Sequence, residues 1–348
     1  MRINEAASLV EAALKLKESL LLVGPPGIGK TEVGETAARR LGMDCIAICT
    51  PLVDPPFILG YPYRENGKAG HLAYGPMYRA LTCSKPTVLF WDEFGGASES
   101  VQKCALRLFQ FREVGDKKLP EHVVMMAASN DVGHNAGVMG IFGPLKDRFA
   151  SIINCEPHID DTVTYALAHD WPVDLIAFLR NAPDALLDYA PQRSMQPDGA
   201  TPRGWGVVAR WVSNGVVDPE VIAGKVGQGR ATQYLAYRNL MAELPDIDEV
   251  LLNPAGAAIP ENPAAKWFVS AALAAKVNHR NFGQVWKYLD RIQDSMFQAF
   301  CFKGAIEAEA VRIKDGNVPA NYQKISSSRD FIKWAHESEV GKTIAGKD

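Results

Sequence analysis

Over the first 156 residues, short apolar runs alternate with stretches whose apolar positions recur at helical spacing. Residues 20–23, 45–49, 87–91, 123–128 and 150–155 read as buried strands, too short and too uniformly apolar to be amphipathic helices. Between them, residues 4–17 repeat Ala6, Leu9, Val10, Ala13 and Leu14 along one face, and residues 31–41 contain no proline and mostly helix-compatible side chains. Residues 78–82 make a short helix, and Ser98 stands as the N-cap of a longer one through Phe109. Strands separated by helices predict a doubly wound, mostly parallel α/β sheet. Two stretches break the alternation. Residues 50–73 are rich in proline and glycine, with Asn66-Gly67 as a turn between short strands, and read as a protruding insertion; residues 112–121 put Gly115-Asp116 at a hairpin tip.

After Glu156 the strand signal disappears. Residues 161–169, 173–180 and 204–214 read as helices around a Pro- and Asp-rich loop at 181–202, which together predict a compact helical lid. Further on, Asn262 and Pro263 form an N-cap and first helical position for a helix to Val277. Phe282, Val285, Trp286, Leu289, Ile292 and Met296 then repeat at helical spacing, and Phe331, Trp334 and Ala335 mark a last short helix. The expected division is therefore 1–156 for the α/β domain, 157–226 for the lid, and 227–348 for a further helical region with no assigned role.

A length of 348 residues fits such a core plus smaller units. The formal net charge of −3 argues against bulk polyanion binding, yet it leaves room for a local basic patch, so DNA stays open as a substrate. Six scattered cysteines without a C-x-x-C pair point to reduced thiols rather than disulfides or zinc. Neither a signal peptide nor a long apolar run is present, which predicts a cytoplasmic protein with no membrane role.

The first strand breaks into Gly24-Pro25-Pro26-Gly27-Ile28-Gly29-Lys30-Thr31, a glycine-rich turn opening a helix with the G-x-x-x-x-G-K-[ST] spacing of a phosphate-binding loop. The chemistry requires this order. Glycines let backbone N–H groups approach a polyphosphate, the helix N-terminus adds a positive end, Lys30 adds charge, and the Thr31 hydroxyl suits Mg²⁺. The third strand delivers Asp92 and Glu93 at its C-terminal edge, where ligands of such sheets bind. Asp92 suits the metal, and Glu93 suits the polarisation of an attacking water. Asn130 ends the fourth strand, where an amide can hydrogen-bond both water and phosphate. Arg148 precedes the fifth strand, Arg203 opens a lid helix, and each is a candidate phosphate-reading guanidinium.

These residues resemble the AAA+ ATPases, and within them the MoxR family. The likeness spans residues 4–214 and rests on the order of Thr50-Pro51, Gly60, Tyr74-Gly75-Pro76-Met77, Asp92-Glu93-Phe94, Gln102, Ala105-Leu106 and Leu145-Lys146-Asp147-Arg148-Phe149. It implies that Lys30 and Thr31 are Walker A, Asp92 and Glu93 Walker B, Asn130 sensor 1, Arg148 a finger acting on a neighbouring subunit, and Arg203 sensor 2. Thr50 would be the polar switch restraining Glu93. The resemblance further implies ATP and Mg²⁺ as cofactors, a homo-oligomer in the form of a hexameric ring, and remodelling of a protein substrate or a von Willebrand factor A-type partner. Two departures stand out: Gly95-Gly96-Ala97 replaces the family's Asn-Arg-Ala, and Asp131 stands where proline is common. A motor or loader acting on DNA is the alternative. A nucleotide-gated switch with little turnover fits less well with intact Glu93, Asn130 and Arg148.

Overall fold

The computed structural model describes residues 1–66, 68–131, 140–190, 199–241 and 246–346; Gly67 of the insertion turn and part of the 181–202 loop lie outside these. The chain divides into two compact units, Met1–Pro157 and His158–Asp348.

In chain order the first unit comprises α1 (Ile3–Leu16), β1 (Leu20–Gly24), α2 (Lys30–Arg40), β2 (Asp44–Cys49), α3 (Pro55–Leu59), β3 (Tyr61–Glu65), β4 (Lys68–Leu72), α4 (Gly75–Thr82), β5 (Thr87–Asp92), α5 (Glu99–Phe111), β6 (Glu113–Val114), β7 (Lys117–Lys118), β8 (Val123–Asn130), α6 (Gly143–Lys146) and β9 (Ser151–Asn154). The five apolar runs form one parallel sheet in the order β2-β5-β8-β1-β9. Alternation along these strands feeds two cores, because successive side chains leave opposite faces. Leu21, Ile48, Leu89, Trp91 and Met125 meet α3, α4 and α5 on one face. Leu20, Leu22, Phe90, Val124 and Met126 meet α1 and α2 on the other. With both faces covered, the three inner strands β1, β5 and β8 can be apolar throughout, whereas edge strands β2 and β9 leave alternate or outer positions exposed.

The insertion differs from expectation in being partly helical. Asp54 caps α3 by accepting from the Phe57 N–H at 3.1 Å, the prolines occupy its first turn, and Phe57 and Ile58 are buried. Proline suits a helix's first turn, where N–H groups have no intrahelical partner, so this cluster starts a helix rather than a loop. For the same reason α4 begins at Gly75, with Pro76 in its first turn, instead of at Tyr78. The two hairpins appear as antiparallel pairs, β3–β4 and β6–β7. They lie side by side: Gly115 has φ +62°, and a Cβ there would come within 2.5 Å of the His71 Cβ and 2.6 Å of the Leu59 carbonyl oxygen.

The second unit holds α7 (Ile159–Ala168), α8 (Val173–Asn181), β10 (Asp188–Tyr189), β11 (Gly199–Ala200), α9 (Pro202–Ser213), α10 (Pro219–Val226), α11 (Gln228–Met241), α12 (Ile247–Leu252), α13 (Pro263–Lys276), α14 (Phe282–Asp290), α15 (Ser295–Lys314), α16 (Arg329–Glu337) and α17 (Glu339–Ile344). Asn262 caps α13 as its sequence suggests, accepting from the Ala264 N–H at 2.8 Å. Two expectations need correction. The strand signal does not vanish after Glu156, since β10 and β11 pair antiparallel within the expected loop. The run from Phe282 to Met296 is not one helix either. Gln293 turns at φ +57°, and Asp294 caps α15 by accepting from the Met296 N–H at 2.9 Å, so Met296 belongs to the next helix and is half exposed.

One continuous core runs through residues of both the expected lid and the region after it. Phe178 of α8, Trp205 of α9 and Tyr234 of α11 form a triangle of rings with centroids 5.5 to 6.1 Å apart. The Arg180 guanidinium lies over Trp267 of α13 at 5.2 Å and Phe300 of α15 at 5.3 Å. Among the described residues, no helix is long and apolar enough to cross a membrane.

Candidate active site

The strand order builds the site. Because β1, β8 and β5 are neighbours, the turns leaving their C-terminal ends converge, and Gly24 is the register partner of Asn130 although 106 positions of chain separate them only in sequence terms. On the far side of β5, Cys49 pairs in register with Asp92.

The turn after β1 needs its glycines for separate reasons. Gly27 (φ +74°) and Gly29 (φ +98°) adopt left-handed backbone that L side chains resist. Gly24 is needed for space, because a Cβ there would lie 2.3 Å from the Cys155 carbonyl oxygen and 3.0 Å from Ile28 Cδ1. Gly24→Ala must therefore push β1 away from the end of β9. The expected result is a loss of about 1–3 kcal/mol of stability, as for overpacked cores, together with weakened nucleotide binding; denaturant melts and a nucleotide titration measure both.

At the start of α2, Lys30 is buried and its ammonium donates to Gly24 O (2.9 Å), Pro25 O (2.7 Å) and Asn130 Oδ1 (3.0 Å). A buried cation must be hydrogen-bonded, and these contacts tie the loop to the end of β8. The next residue, Thr31, donates from Oγ1 to Asp92 Oδ2 at 2.8 Å. Asp92 Oδ1 in turn accepts from the Glu93 N–H at 2.9 Å.

Glu93 itself is exposed and sits at φ +53°, ψ +38°, a conformation that costs an L-residue about 1–2 kcal/mol. Surrounding contacts hold it there. The Gly96 N–H donates to Glu93 O at 2.9 Å, the Gly95 N–H to Ser129 Oγ at 3.2 Å, and Phe94 is fully buried among Trp91, Phe109 and Phe149. Thr50, also fully buried, donates to the Asp92 main-chain oxygen at 2.6 Å. Its one hydroxyl proton goes to that carbonyl, so its contact is with the peptide entering Glu93 and not with the Glu93 carboxylate. Nearby, burial first and the charges of Glu93 and Asp92 next push the Cys49 thiol pKa up.

Arg148 follows α6 and precedes edge strand β9; its Nη1 lies 3.1 Å from Asp147 Oδ2, while its Nε is buried with no hydrogen-bond partner among the described residues. The candidate residues Lys30, Thr31, Asp92, Glu93 and Asn130 thus meet at one sheet edge, and Arg148 stands apart from that constellation. Arg203 belongs to the second unit, exposed in the first turn of α9, where Thr201 Oγ1 caps the helix by accepting from the Gly204 N–H at 3.0 Å. One contributor had little sequence signal: Ser129, which braces Gly95, reads as one more strand residue. Gln102 stands in the order of residues that carries the resemblance, but with no role attached to it; on α5 it is a polar side chain beside Val101, Ala105, Leu108 and Phe109.

The donor set fits Mg²⁺. Thr31 and Asp92 present two hard oxygens side by side, and no cluster of three or more His, Cys, Asp or Glu side chains that could cage a metal occurs among the described residues. Mg²⁺ is characteristically held in this way, by one or two protein oxygens together with substrate phosphates and water.

Residues 19–149 match the AAA domain family, dynein-related subfamily. Among solved structures, the RuvB Holliday junction branch migration motor of Thermotoga maritima is 16% identical over 83% of this chain and 86% of that one, at a TM-score of 0.39. NtrX from Brucella abortus is 16% identical over 86% of this chain and 67% of that one, at a TM-score of 0.37.

Proposed function

We propose that this chain, whose first unit is built on an AAA+ α/β fold, is a ring-forming, MoxR-like ATP hydrolase that uses turnover to remodel a partner protein. The observation that carries the hydrolase reading is the pair of bridges Lys30–Asn130 and Thr31–Asp92, which draw the ends of β1, β8 and β5 together at the phosphate loop. In this reading residues 24–31 wrap the phosphates, and Lys30 and Asn130 contact the terminal one. Thr31 and Asp92 hold Mg²⁺, which supplies charge neutralisation on the phosphates. Glu93, exposed and fixed in its turn, orients and polarises the attacking water. Arg148 serves the site of a neighbouring copy, and Arg203 keeps the sensor 2 role that the resemblance implies.

The partner reading draws on the paired hairpins. Tyr61, Tyr63 and Leu72 are exposed on β3 and β4, an unusual amount of apolar surface for a solvated hairpin and one suited to a polypeptide. Arg64, Lys68, Lys117 and Lys118 are exposed on the same two hairpins, and these four cations favour the second reading, a motor on DNA. Salt separates the two. The protein reading expects ATP turnover without DNA and no tight duplex binding. A binding constant for duplex DNA that falls by orders of magnitude between about 50 and 200 mM salt would establish the DNA reading instead, since such a slope counts phosphate contacts.

A further inference from the structure

Gln102 is buried in the first turn of α5, and its amide is used three ways. Nε2 donates to Ala97 O at 3.2 Å and to Gly140 O at 2.9 Å, while Oε1 accepts from the Phe142 N–H at 2.7 Å. Ala97 closes the turn that begins at Glu93: its N–H donates to Phe94 O at 3.2 Å. Phe142 is the residue on which α6 starts. Its carbonyl accepts from the Leu145 N–H at 2.9 Å, and the Leu145 carbonyl accepts from the Arg148 N–H at 3.1 Å. Gln102 thus stands between the turn that holds Glu93 and the short helix that presents Arg148. A second link runs parallel to it, since the Phe94 ring, next to Glu93, packs edge-on against the Phe149 ring, next to Arg148, with centroids 6.0 Å apart.

We infer that Gln102 is a positioning residue for Arg148: it fixes the start of α6, and with it the guanidinium that a neighbouring copy's nucleotide requires, by reference to the catalytic turn of its own subunit. The inference rests on the reading of Arg148 as a finger acting between copies. A polar side chain on an apolar helix face is costly unless fully paired, and here both amide ends are paired with the two loops. Nothing else in α5 needs an amide at this place, because the neighbouring buried positions are Val101, Ala105, Leu108 and Phe109.

Gln102→Met keeps the length and shape of the side chain and removes all three hydrogen bonds; Gln102→Glu keeps the acceptor for Phe142 and loses the two donors. Both are expected to bind ATP as the wild type does and to lose turnover by about 10²-fold, the cost of misplacing a reacting group by about 1 Å. Complementation in mixed oligomers separates positioning of Arg148 from damage to the subunit's own site. Mixed with Glu93→Gln, which carries a sound Arg148, the Gln102 variants are expected to regain activity. Mixed with Arg148→Ala they are expected to stay inactive, because neither partner then supplies a working finger. The reverse pattern, rescue by Arg148→Ala and none by Glu93→Gln, would place the defect in the variant's own catalytic turn and overturn the inference. Wild-type turnover in both Gln102 variants would overturn it equally. The control mixture of Arg148→Ala with Glu93→Gln tests the underlying reading separately: without rescue there, the finger assignment falls and this inference falls with it.

Discussion

Arg148→Ala is expected to bind ATP and to turn over about 10³ to 10⁵-fold more slowly than the wild type, a loss of roughly 4–7 kcal/mol of transition-state stabilisation. The expectation comes from where Arg148 lies. It follows α6 at the entrance to edge strand β9, its guanidinium engages Asp147, and Lys30 already occupies the position beside Asn130 in its own subunit. In the proposed reading, a guanidinium there completes the charge on a terminal phosphate of another copy. Mixing Arg148→Ala with Glu93→Gln should consequently restore part of the activity, since some interfaces then pair an intact Glu93 with an intact Arg148. ATPase measured down a dilution series, alongside sizing, is the test. A fully active Arg148→Ala, together with specific activity that stays flat where only monomer remains, would remove both the finger and the ring.

The second large effect is at Glu93. Glu93→Gln is expected to retain ATP and Mg²⁺ affinity while turnover falls by about 10²- to 10⁴-fold, because the amide preserves shape and cannot draw a proton from water. The turn itself should survive the substitution. Its left-handed backbone is held by the Thr50, Ser129 and Gly96 contacts and by the buried Phe94, none of which uses the Glu93 carboxylate. Equilibrium nucleotide binding and steady-state hydrolysis, measured on the same preparation, decide the matter: turnover at the wild-type rate would exclude Glu93 from the mechanism.

Much of the first unit is legible in the chain because its inner strands are apolar on both faces and its phosphate loop obeys a spacing rule. Leu20 to Leu22 and Val88 to Trp91 declare themselves strands before anything is known of their neighbours. What no local pattern contains is adjacency. The Lys30–Asn130 bond exists because β8 inserts between β1 and β5, and only the sheet order makes residues so distant in sequence into partners. The second unit hides more. α15 runs for 20 residues with Phe297, Phe300, Cys301, Phe302, Ala305 and Ala308 all buried, so it lacks the single apolar stripe by which an amphipathic helix is recognised. Met296 happens to keep the phase of α14, which conceals the turn at Gln293, and two-residue strands such as β10 and β11 are too short for alternation to register.

The shared core of the second unit bears on how such a chain can change over evolutionary time. Were residues 227–348 a separate module, they could be exchanged or lost while the helices before them went on folding. The triangle of Phe178, Trp205 and Tyr234 and the placement of Arg180 over Trp267 and Phe300 remove that freedom. Taking away α11, α13 and α15 would strip the apolar faces of α7, α8 and α9 and leave the partly buried Arg180 without its rings. The helices of this half are therefore expected to fold and unfold together as one cooperative unit, so that a truncation before α11 should lose the fold of α7, α8 and α9 as well.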